Sequence, residues 1–200
     1  MTVMTAVPKA TLRSGLRARR RELSAGRDRE DDAEQLAEHV LRLLRGRRED
    51  AEVCRVAAYV ALPTEPPTHR LIKALEDAGD EVILPVLLPD GSLDWTLHVP
   101  GSGLPGRGTV HGPLLGPDAI GTAGLVLTPG LAVDWWGNRL GQGGGSYDRA
   151  LALRRRDALV VTLLHDGEVW DDPLPHEPHD LPVDAVLTVD GGCVRCRPSG

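Results

Sequence analysis

The sequence contains no phenylalanine, and aromatic residues make up only 3% of its 200 residues. Leucine, valine and alanine must therefore supply most of the hydrophobic core. Cysteine is also scarce, since Cys54, Cys193 and Cys196 are the only three in the chain. A small, odd number of cysteines excludes a disulfide-rich scaffold and is typical of proteins in a reducing compartment.

Long apolar segments are absent as well. No apolar run approaches the roughly 20 residues that a membrane-spanning helix needs. The first residues, MTVMTAVPKATLR, lack the continuous apolar stretch of a signal peptide. The formal net charge of −6 argues against a general nucleic-acid-binding protein. We therefore expect a cytoplasmic protein that has neither a membrane nor a nucleic acid as partner.

Apolar segments with helical and strand-like spacing alternate along the chain. Helical spacing occurs over residues 9–23 and 33–44 and in a segment that ends near Gly79. The strand-like runs are 53–62, 81–88, 93–99, 124–127, 158–164 and 185–189. This alternation predicts an α/β fold in which a mainly parallel sheet is flanked by helices on both faces. We expect residues 1–200 to form one open-sheet domain.

Several segments have less regular patterns. Residues 93–99 alternate apolar and polar side chains and are expected to form a half-exposed strand. Residues 100–124 are rich in Gly and Pro and are expected to form a loop, and a further helix is expected over 150–156. Residues 1–24 are predicted to contain a basic helix that contributes to a nucleotide site, and 190–200 to form a flexible tail.

The most informative segment is the glycine-rich stretch 128–149, TPGLAVDWWGNRLGQGGGSYDR, which we call the glycine loop. It follows a strand-like run and precedes a helical one, an arrangement that favours phosphate binding because glycine lets backbone N–H groups approach a ligand. Ser146 stands where the dinucleotide-binding fingerprint requires its third glycine, and no lysine precedes it as in a P-loop. The glycines alone therefore leave a generic turn as the alternative.

Charged residues near the chain start and in the glycine loop suit a polyanion. Lys9, Arg13 and Arg17 lie four residues apart and share one face of the predicted first helix. This face either binds phosphates or is simply solvated. Arg139 either clamps a phosphate or forms a surface salt bridge, and Asp148 either holds Mg²⁺ or caps a helix.

Two short-spaced pairs also suggest a structural zinc site. They are His176 with His179 and Cys193 with Cys196. Four nitrogen and sulfur ligands suffice for zinc, but isolated pairs of this kind are a weak signal. A zinc-stapled interaction protein is therefore kept as a minor alternative.

Taken together, the glycine loop resembles that of the 5-formyltetrahydrofolate cyclo-ligase family, also called methenyltetrahydrofolate synthetases. The family pattern there is approximately P-G-[LIV]-[AG]-F-D-x-x-G-x-R-L-G-x-G-x-G-[YF]-Y-D-R. The matching residues are Pro129, Gly130, Leu131, Ala132, Asp134, Gly137, Arg139, Leu140, Gly141, Gly143, Gly145, Tyr147, Asp148 and Arg149. Further matches, in the family's order, are Lys9 and Arg13; Tyr59, Glu65 and Thr68; and His179, Asp180, Pro182, Asp184 and Thr188.

The resemblance implies ATP-driven, Mg²⁺-dependent conversion of 5-formyltetrahydrofolate to 5,10-methenyltetrahydrofolate, with release of ADP and phosphate. It implies catalytic roles for Lys9 and Arg139, and metal binding by Asp148 with Asp180 as second candidate. Folate would contact Val60, Glu65 and Tyr147. ATP would contact Lys9, Arg13, Arg139, Leu140, Gly141, Gln142, Gly143, Gly144, Gly145, Ser146 and Tyr147. The resemblance further suggests a monomer or weak dimer whose partners are a reduced folate and ATP.

The chain departs from the family pattern at four places. Gln142 and Ser146 replace aromatic residues in the loop, Val133 replaces a Phe, and Gly112 precedes Pro113 where an acidic residue is usual. These changes remove stacking surface and one carboxylate. They motivate a second hypothesis, a folate- or nucleotide-binding relative that has lost or changed the ring-closure activity.

Overall fold

The structure, a computed structural model, describes residues 8–48, 55–105, 112–177 and 180–196. Four α-helices lie in these ranges: α1 (Lys9–Ala25), α2 (Arg29–Arg48), α3 (His69–Asp77) and α4 (Ser146–Leu151). A 3₁₀ helix spans Pro117–Thr122. The strands are β1 (Arg55–Ala57), β2 (Glu81–Leu87), β3 (Leu93–Leu97), β4 (Leu125–Pro129), β5 (Ala132–Asp134), β6 (Arg139–Leu140), β7 (Leu159–Leu164), β8 (Val169–Trp170), β9 (Ala185–Thr188) and β10 (Gly192–Arg195).

Seven strands form the main sheet, in the order β10-β9-β7-β4-β1-β2-β3. The five central strands are parallel, and the edge strands β10 and β3 pair antiparallel with their neighbours. The central strands are apolar on both faces, as in β7, where all six residues are buried. This pattern requires cover on both faces of the sheet. The predicted α/β class is confirmed.

Helices cover both faces. On one face, α2 and α3 pack Leu36 and Leu71 into a core that also contains Leu127. On the other face, the 3₁₀ helix and α4 contribute Ile120 and Leu151. Helix α1 does not lie on the main sheet. Its Leu16 packs in a separate cluster with Leu131, Ala132, Leu140 and Leu174.

A second sheet of three short strands, in the order β6-β5-β8, supports α1 and was not predicted from the sequence. Two of its strands lie inside the glycine loop, so the loop is partly folded rather than an open turn. Asp134, which is fully buried, holds the β5–β6 turn by accepting hydrogen bonds from the backbone N–H groups of Trp136 and Asn138. It also accepts one from Leu174 N, which fixes the segment after β8.

Several other segments differ in the structure from what the sequence predicts. Strand β3 is buried rather than half-exposed, because the segment that leads into the 3₁₀ helix packs on it and is attached by a hydrogen bond from Gly116 N to Asp94. The predicted loop 100–124 contains the 3₁₀ helix, and in place of the predicted helix 150–156 the structure has α4, which begins at Ser146 and ends at Leu151. In the predicted flexible tail, residues 192–195 form β10 against β9. Of the predicted strand 53–62, residues 53 and 54 lie outside the described ranges, Arg55–Ala57 form β1, and residues 59–62 line the cavity described below.

Gly137 offers a test of how the two sheets are joined. Its φ is +85°, and a Cβ there would overlap the carbonyl oxygen of Val183, whose N–H donates to Gly137 O at 2.9 Å. We expect Gly137→Ala to lower the free energy of unfolding by about 3 kcal/mol, combining left-handed strain with overpacking. Urea denaturation measures this. Gly79→Ala, with φ +84° and no atom near the added Cβ, is the matched control and is expected to cost only about 1 kcal/mol. Equal losses in the two variants would contradict the steric explanation.

Candidate active site

A cavity of about 1280 Å³ opens at the carboxyl ends of β1 and β4, beside β2. Ligands in parallel α/β sheets bind at this end of the strands. All fifteen residues that the sequence predicted for the site line this cavity: Lys9, Arg13, Val60, Glu65, Arg139, Leu140, Gly141, Gln142, Gly143, Gly144, Gly145, Ser146, Tyr147, Asp148 and Asp180. The fold therefore brings together residues from α1, the segment after β1, the glycine loop and the segment after β8.

Two arginines of α1 hold the glycine loop. Arg13 Nε donates to Gly141 O at 3.0 Å, and its guanidinium packs against Gly143. Arg17 Nη2 donates to Gln142 O at 2.7 Å, and Arg17 Nε donates to Gln142 Oε1 at 2.9 Å. The cationic face of α1 is therefore directed at the loop and is not merely solvated. The helical spacing of these residues in the sequence predicted their common direction.

Lys9 lies between two carboxylates. Its Nζ is 2.8 Å from Asp180 Oδ2 and 3.2 Å from Glu177 Oε1. Partial burial acts to lower the pKa of Lys9, but the hydrogen bonds and charges of Asp180 and Glu177 outweigh it and raise the pKa. Lys9 is therefore a cation throughout the neutral pH range. Glu177 lies three residues before Asp180 in the sequence and was not predicted as a site residue.

Arg139 and Asp148 form an ion pair in the cavity wall. Arg139 Nη2 donates to Asp148 Oδ1 at 2.6 Å, and Arg139 Nη1 donates to Pro129 O at 3.2 Å. The Arg139 side chain is only 3% exposed, and its guanidinium carbon lies 5.7 Å from the centre of the Tyr147 ring. A guanidinium beside an aromatic ring gains cation–π stabilisation. Three contacts thus fix the orientation of this cation.

Glu65 is a buried carboxylate in the cavity wall, with 4% of its surface exposed. Its Oε2 accepts a hydrogen bond from Leu62 N at 2.9 Å. Burial raises the pKa of Glu65, while the Leu62 N–H, the charge of Arg20 and a hydrogen bond from Gln142 oppose the rise. The turn that carries Glu65 is held by Thr68, whose hydroxyl donates to Tyr59 O and accepts from Ala61 N.

Two tyrosines contribute buried hydroxyl groups that have no hydrogen-bond partner among the described residues. They are Tyr59, which is buried, and Tyr147, which is half-buried, and both side chains line the cavity. Burial is the main cause that raises the pKa of each, so both phenols stay neutral and can donate a hydrogen bond to a ligand. Tyr59 belongs to a motif quoted from the sequence but was not named there as a site residue.

The two departures within the loop form contacts of their own. Gln142 accepts from Arg17 and interacts with Glu65, so it joins α1 to the segment after β1. Ser146 Oγ donates to Gly91 O at 2.6 Å, which fastens the loop to the β2–β3 turn. Hydrogen bonds therefore hold the loop at the two positions where the family often has aromatic side chains.

Within the described ranges, no three His, Cys, Asp or Glu side chains are grouped to hold a metal. For the zinc alternative, His179 lies outside those ranges. His176 Nδ1 is 3.3 Å from Leu174 O, and Cys193 and Cys196 are free thiols. Burial raises the pKa of Cys196 to about 11, so this thiol is protonated at neutral pH. No helix in the part of the chain that the structure describes is long and apolar enough to cross a membrane.

Comparison with known proteins gives one consistent result. The sequence model of the 5-formyltetrahydrofolate cyclo-ligase family matches residues 5–189. The chain is 37% identical to the 5-formyltetrahydrofolate cyclo-ligase of Mycolicibacterium smegmatis over 150 residues, 71% of this chain and 77% of that protein. It is also 37% identical to the Escherichia coli protein of that name over 140 residues, 66% and 76% of the two chains. The structure resembles the 5,10-methenyltetrahydrofolate synthetase of Aquifex aeolicus with a TM-score of 0.70 and 26% identity, covering 96% of this chain and 94% of that one.

Proposed function

The chain belongs to the 5-formyltetrahydrofolate cyclo-ligase family, and we propose that its cavity carries out the reaction of that family. The enzyme is a ligase of folate and one-carbon metabolism that converts 5-formyltetrahydrofolate to 5,10-methenyltetrahydrofolate at the expense of ATP. The observation that carries the proposal is the cavity itself. Its lining contains the cations Lys9, Arg13 and Arg139 and the buried carboxylate Glu65. It also contains two phenol hydroxyls that have no hydrogen-bond partner among the described residues.

We assign the nucleotide to the cationic side. Lys9 and Arg13 extend from α1, and Arg139 lies on β6 at the base of the glycine loop. Charged donors of this kind bind phosphate oxygens strongly, and the planar fork of arginine suits two oxygens at once. The backbone of residues 141–145 adds a surface that is glycine apart from Gln142, beside which the guanidinium groups of Arg13 and Arg139 lie.

We assign the reduced folate to the side formed by Val60, Glu65 and Tyr147. A pterin ring offers several N–H donors, and Glu65 is an acceptor that burial strengthens. The apolar part of the wall comes from Leu84, Val86 and Leu93, with Val60 at the opening. The neutral hydroxyls of Tyr59 and Tyr147 supply donors for the carbonyl oxygens of the substrate.

The chemistry follows from this arrangement. The formyl oxygen attacks the γ-phosphorus of ATP, and the bond from that phosphorus to ADP breaks. The phosphorylated formyl group then carries an activated, electrophilic carbon. N10 then attacks this carbon, the C–O bond breaks with release of phosphate, and N10 gives up its proton. Phosphoryl transfer needs alignment and charge stabilisation more than acid–base groups, and the cations supply both.

Magnesium fits this site through Asp148. Mg²⁺ is held by one or two carboxylates together with the phosphates of a nucleotide, so a preformed cluster of ligands is not required. Arg139 donates to Oδ1 of Asp148, and a carboxylate retains its second oxygen for a cation. We prefer Asp148 to Asp180, which is engaged by Lys9 and by Glu177 N. When bound, the ion would neutralise charge on the β- and γ-phosphates.

The test is a turnover assay with purified protein, 5-formyltetrahydrofolate, ATP and MgCl₂, followed by the near-ultraviolet absorbance of the methenyl product. Product formation that requires both ATP and Mg²⁺ supports the proposal. Binding of nucleotide or folate with no change in absorbance at any protein concentration would instead favour a relative without ring-closure activity. Isothermal titration with ADP and with 5-formyltetrahydrofolate separates the two results.

Glu65→Gln is expected to separate folate binding from stability. The amide keeps the hydrogen bond from Leu62 N but replaces an acceptor of pterin N–H groups, so the KM for folate should rise about 30-fold while the KM for ATP changes little. An acid whose pKa is raised by folding binds protons on folding, and its ionisation destabilises the fold as pH rises through that pKa. The variant should therefore have a higher melting temperature than the wild type at pH 7.5.

This advantage in stability should shrink as the pH is lowered, because the raised pKa brings Glu65 to its protonated form in the folded wild type before an ordinary glutamate is protonated. Differential scanning calorimetry over a series of pH values measures it. The matched control is Glu81→Gln at the exposed start of β2, which lies outside the cavity lining and should not alter the KM for folate. A Glu65→Gln variant that retains the wild-type KM for folate would remove Glu65 from the substrate site.

We further propose that the protein acts in the cytoplasm as a single domain, as a monomer or weak dimer. The free thiols of Cys193 and Cys196 suit a reducing compartment. Sedimentation velocity at catalytic concentrations tests the proposed oligomeric state.

A further inference from the structure

Arg20 is a buried cation that the reaction as described above does not use. It lies on α1, on the same side as Lys9, Arg13 and Arg17 by helical spacing, and its side chain is 2% exposed. Its partner Glu168 is also 2% exposed and lies in the turn after β7. Neither residue was singled out in the sequence, where Arg20 looks like one more member of a basic, solvated face.

The contacts of this pair reach three separate elements. Arg20 Nε and Nη2 donate to the two oxygens of Glu168 at 2.6 and 2.7 Å, a bidentate arrangement. Arg20 Nη2 also donates to Gly130 O at 2.5 Å, at the end of β4. Glu168 Oε2 in turn accepts from His165 N at 2.8 Å. Helix α1 is thereby tied to the carboxyl ends of β4 and β7.

The β4–β5 turn at Pro129 and Gly130 is also held by Arg139, one of the cations of the active site. Arg139 donates to the carbonyl of Pro129, and Arg20 donates to the carbonyl of the next residue, Gly130. Two guanidinium groups, one on α1 and one on β6, therefore donate hydrogen bonds to adjacent carbonyl oxygens. The positions of α1 and of Arg139 both depend on the backbone at Pro129 and Gly130.

Stability alone is a poor explanation for such a pair. Desolvating two charges costs about as much as their attraction returns, and well-packed apolar replacements are often as stable or more so. Position is a better explanation. Lys9 lies eleven residues from Arg20, or about 16 Å along the helix, so a tilt of a few degrees at Arg20 would move it by about 1 Å. A misplacement of that size can cost about 100-fold in rate.

We propose that the buried Arg20–Glu168 pair is a positioning element for phosphoryl transfer. It sets the angle of α1 and holds the Pro129–Gly130 turn, so that Lys9 and Arg13 on one side and Arg139 on the other address the same phosphate chain. This inference rests on the proposed function. Arg20 and Glu168 act through other residues and do not touch the reacting atoms.

The decisive variant is the apolar double replacement Arg20→Met/Glu168→Met. Because it removes both charges of the pair together, its melting temperature should lie within about 5 °C of the wild type. We expect its KM for ATP to rise at least about 10-fold and its kcat to fall by a similar factor, while the KM for folate changes less than about 3-fold. Binding of ADP, measured by isothermal titration, should weaken in parallel with the KM for ATP.

A second buried pair, His98–Glu76, provides the matched control, since it lies outside the cavity lining. His98→Met/Glu76→Met should leave both KM values unchanged. If the Arg20/Glu168 double variant does not fold, Glu168→Gln, which keeps the shape but removes the charge and one of the two acceptors of Arg20, is expected to show the same selective rise in the KM for ATP. A folded double variant, or a folded Glu168→Gln variant, with wild-type KM for ATP and wild-type ADP affinity would overturn the inference. Failure of the proposed function is a different result, since the wild type would then show no turnover.

Discussion

Replacing Arg139 by alanine is expected to lower kcat/KM for ring closure by about 10³-fold, with most of the loss in kcat. The charge that develops on the transferring phosphoryl group needs a fixed cation. Arg139 is the most firmly held of the three that line the cavity, since Asp148, Pro129 O and the Tyr147 ring all contact it. A preorganised cation loses little energy in reorganisation during the reaction, so its removal is felt mainly in the transition state.

Arg139→Lys should recover little of the activity. A lysine ammonium has no planar fork, so it cannot satisfy Asp148 and Pro129 O in the geometry that the guanidinium has. Guanidinium chloride at millimolar concentration should restore part of the activity of Arg139→Ala but none of the activity of Arg139→Lys, where the space is filled. Steady-state kinetics with and without added guanidinium distinguish these expectations.

Arg155→Ala is the matched control for charge, because Arg155 pairs with Asp157 on the surface, away from the cavity. Its kinetics should equal those of the wild type. Loss of the buried partner of Asp148 also destabilises Arg139→Ala, so rates are compared well below its measured melting temperature. An Arg139→Ala variant that is folded and retains more than about one tenth of wild-type kcat would exclude the role assigned here.

The sequence predicts six of the seven strands of the main sheet because each of the six lies in a continuous or alternating apolar run, while β10 was expected to belong to a flexible tail. It does not predict the small sheet. Strands β5, β6 and β8 have only two or three residues each, and β5 pairs in parallel with β8 more than thirty residues away. No hydrophobic period can be read from so few residues. Their pairing follows from Asp134 and from α1 packing, which are tertiary effects.

That the predicted site residues meet in one cavity was predictable for a different reason. The resemblance to the family assigned fifteen residues of four distant segments to one site, and all fifteen line the cavity. Their pairing was not predictable. Lys9 meets Asp180 across 171 positions of sequence, and Arg139 meets the residue expected to bind metal. Arg20 and Glu168 were not predicted as functional residues. Their distinguishing property is burial, and burial depends on how α1 packs against the ends of β4 and β7.

Lys9→Ala is expected to raise the KM for ATP about 100-fold and to lower kcat about 10-fold, with little change in the KM for folate. Nζ of Lys9 is the cation that α1 presents farthest toward its N-terminus, and the raised pKa keeps it charged. The stability that Lys9 gains from its carboxylates is present below the ordinary lysine pKa. It is lost only as pH rises through the higher, folded-state value. Melting temperatures of wild type and variant should therefore show a constant difference between pH 6 and 9.

An ion pair with Asp180 and Glu177 offers a purely structural account of the same lysine, and one comparison decides between the two accounts. The double variant Asp180→Asn/Glu177→Gln removes both ion pairs but keeps the ammonium group of Lys9. If Lys9 acts on phosphates, the double variant should retain a KM for ATP within about 5-fold of the wild type, although its melting temperature falls as it does in Lys9→Ala. If Lys9 serves only to anchor the segment at Asp180, the two variants should lose ATP affinity equally. Direct titration with ADP gives the answer without turnover, because charge attraction to phosphate survives in one variant and is absent from the other.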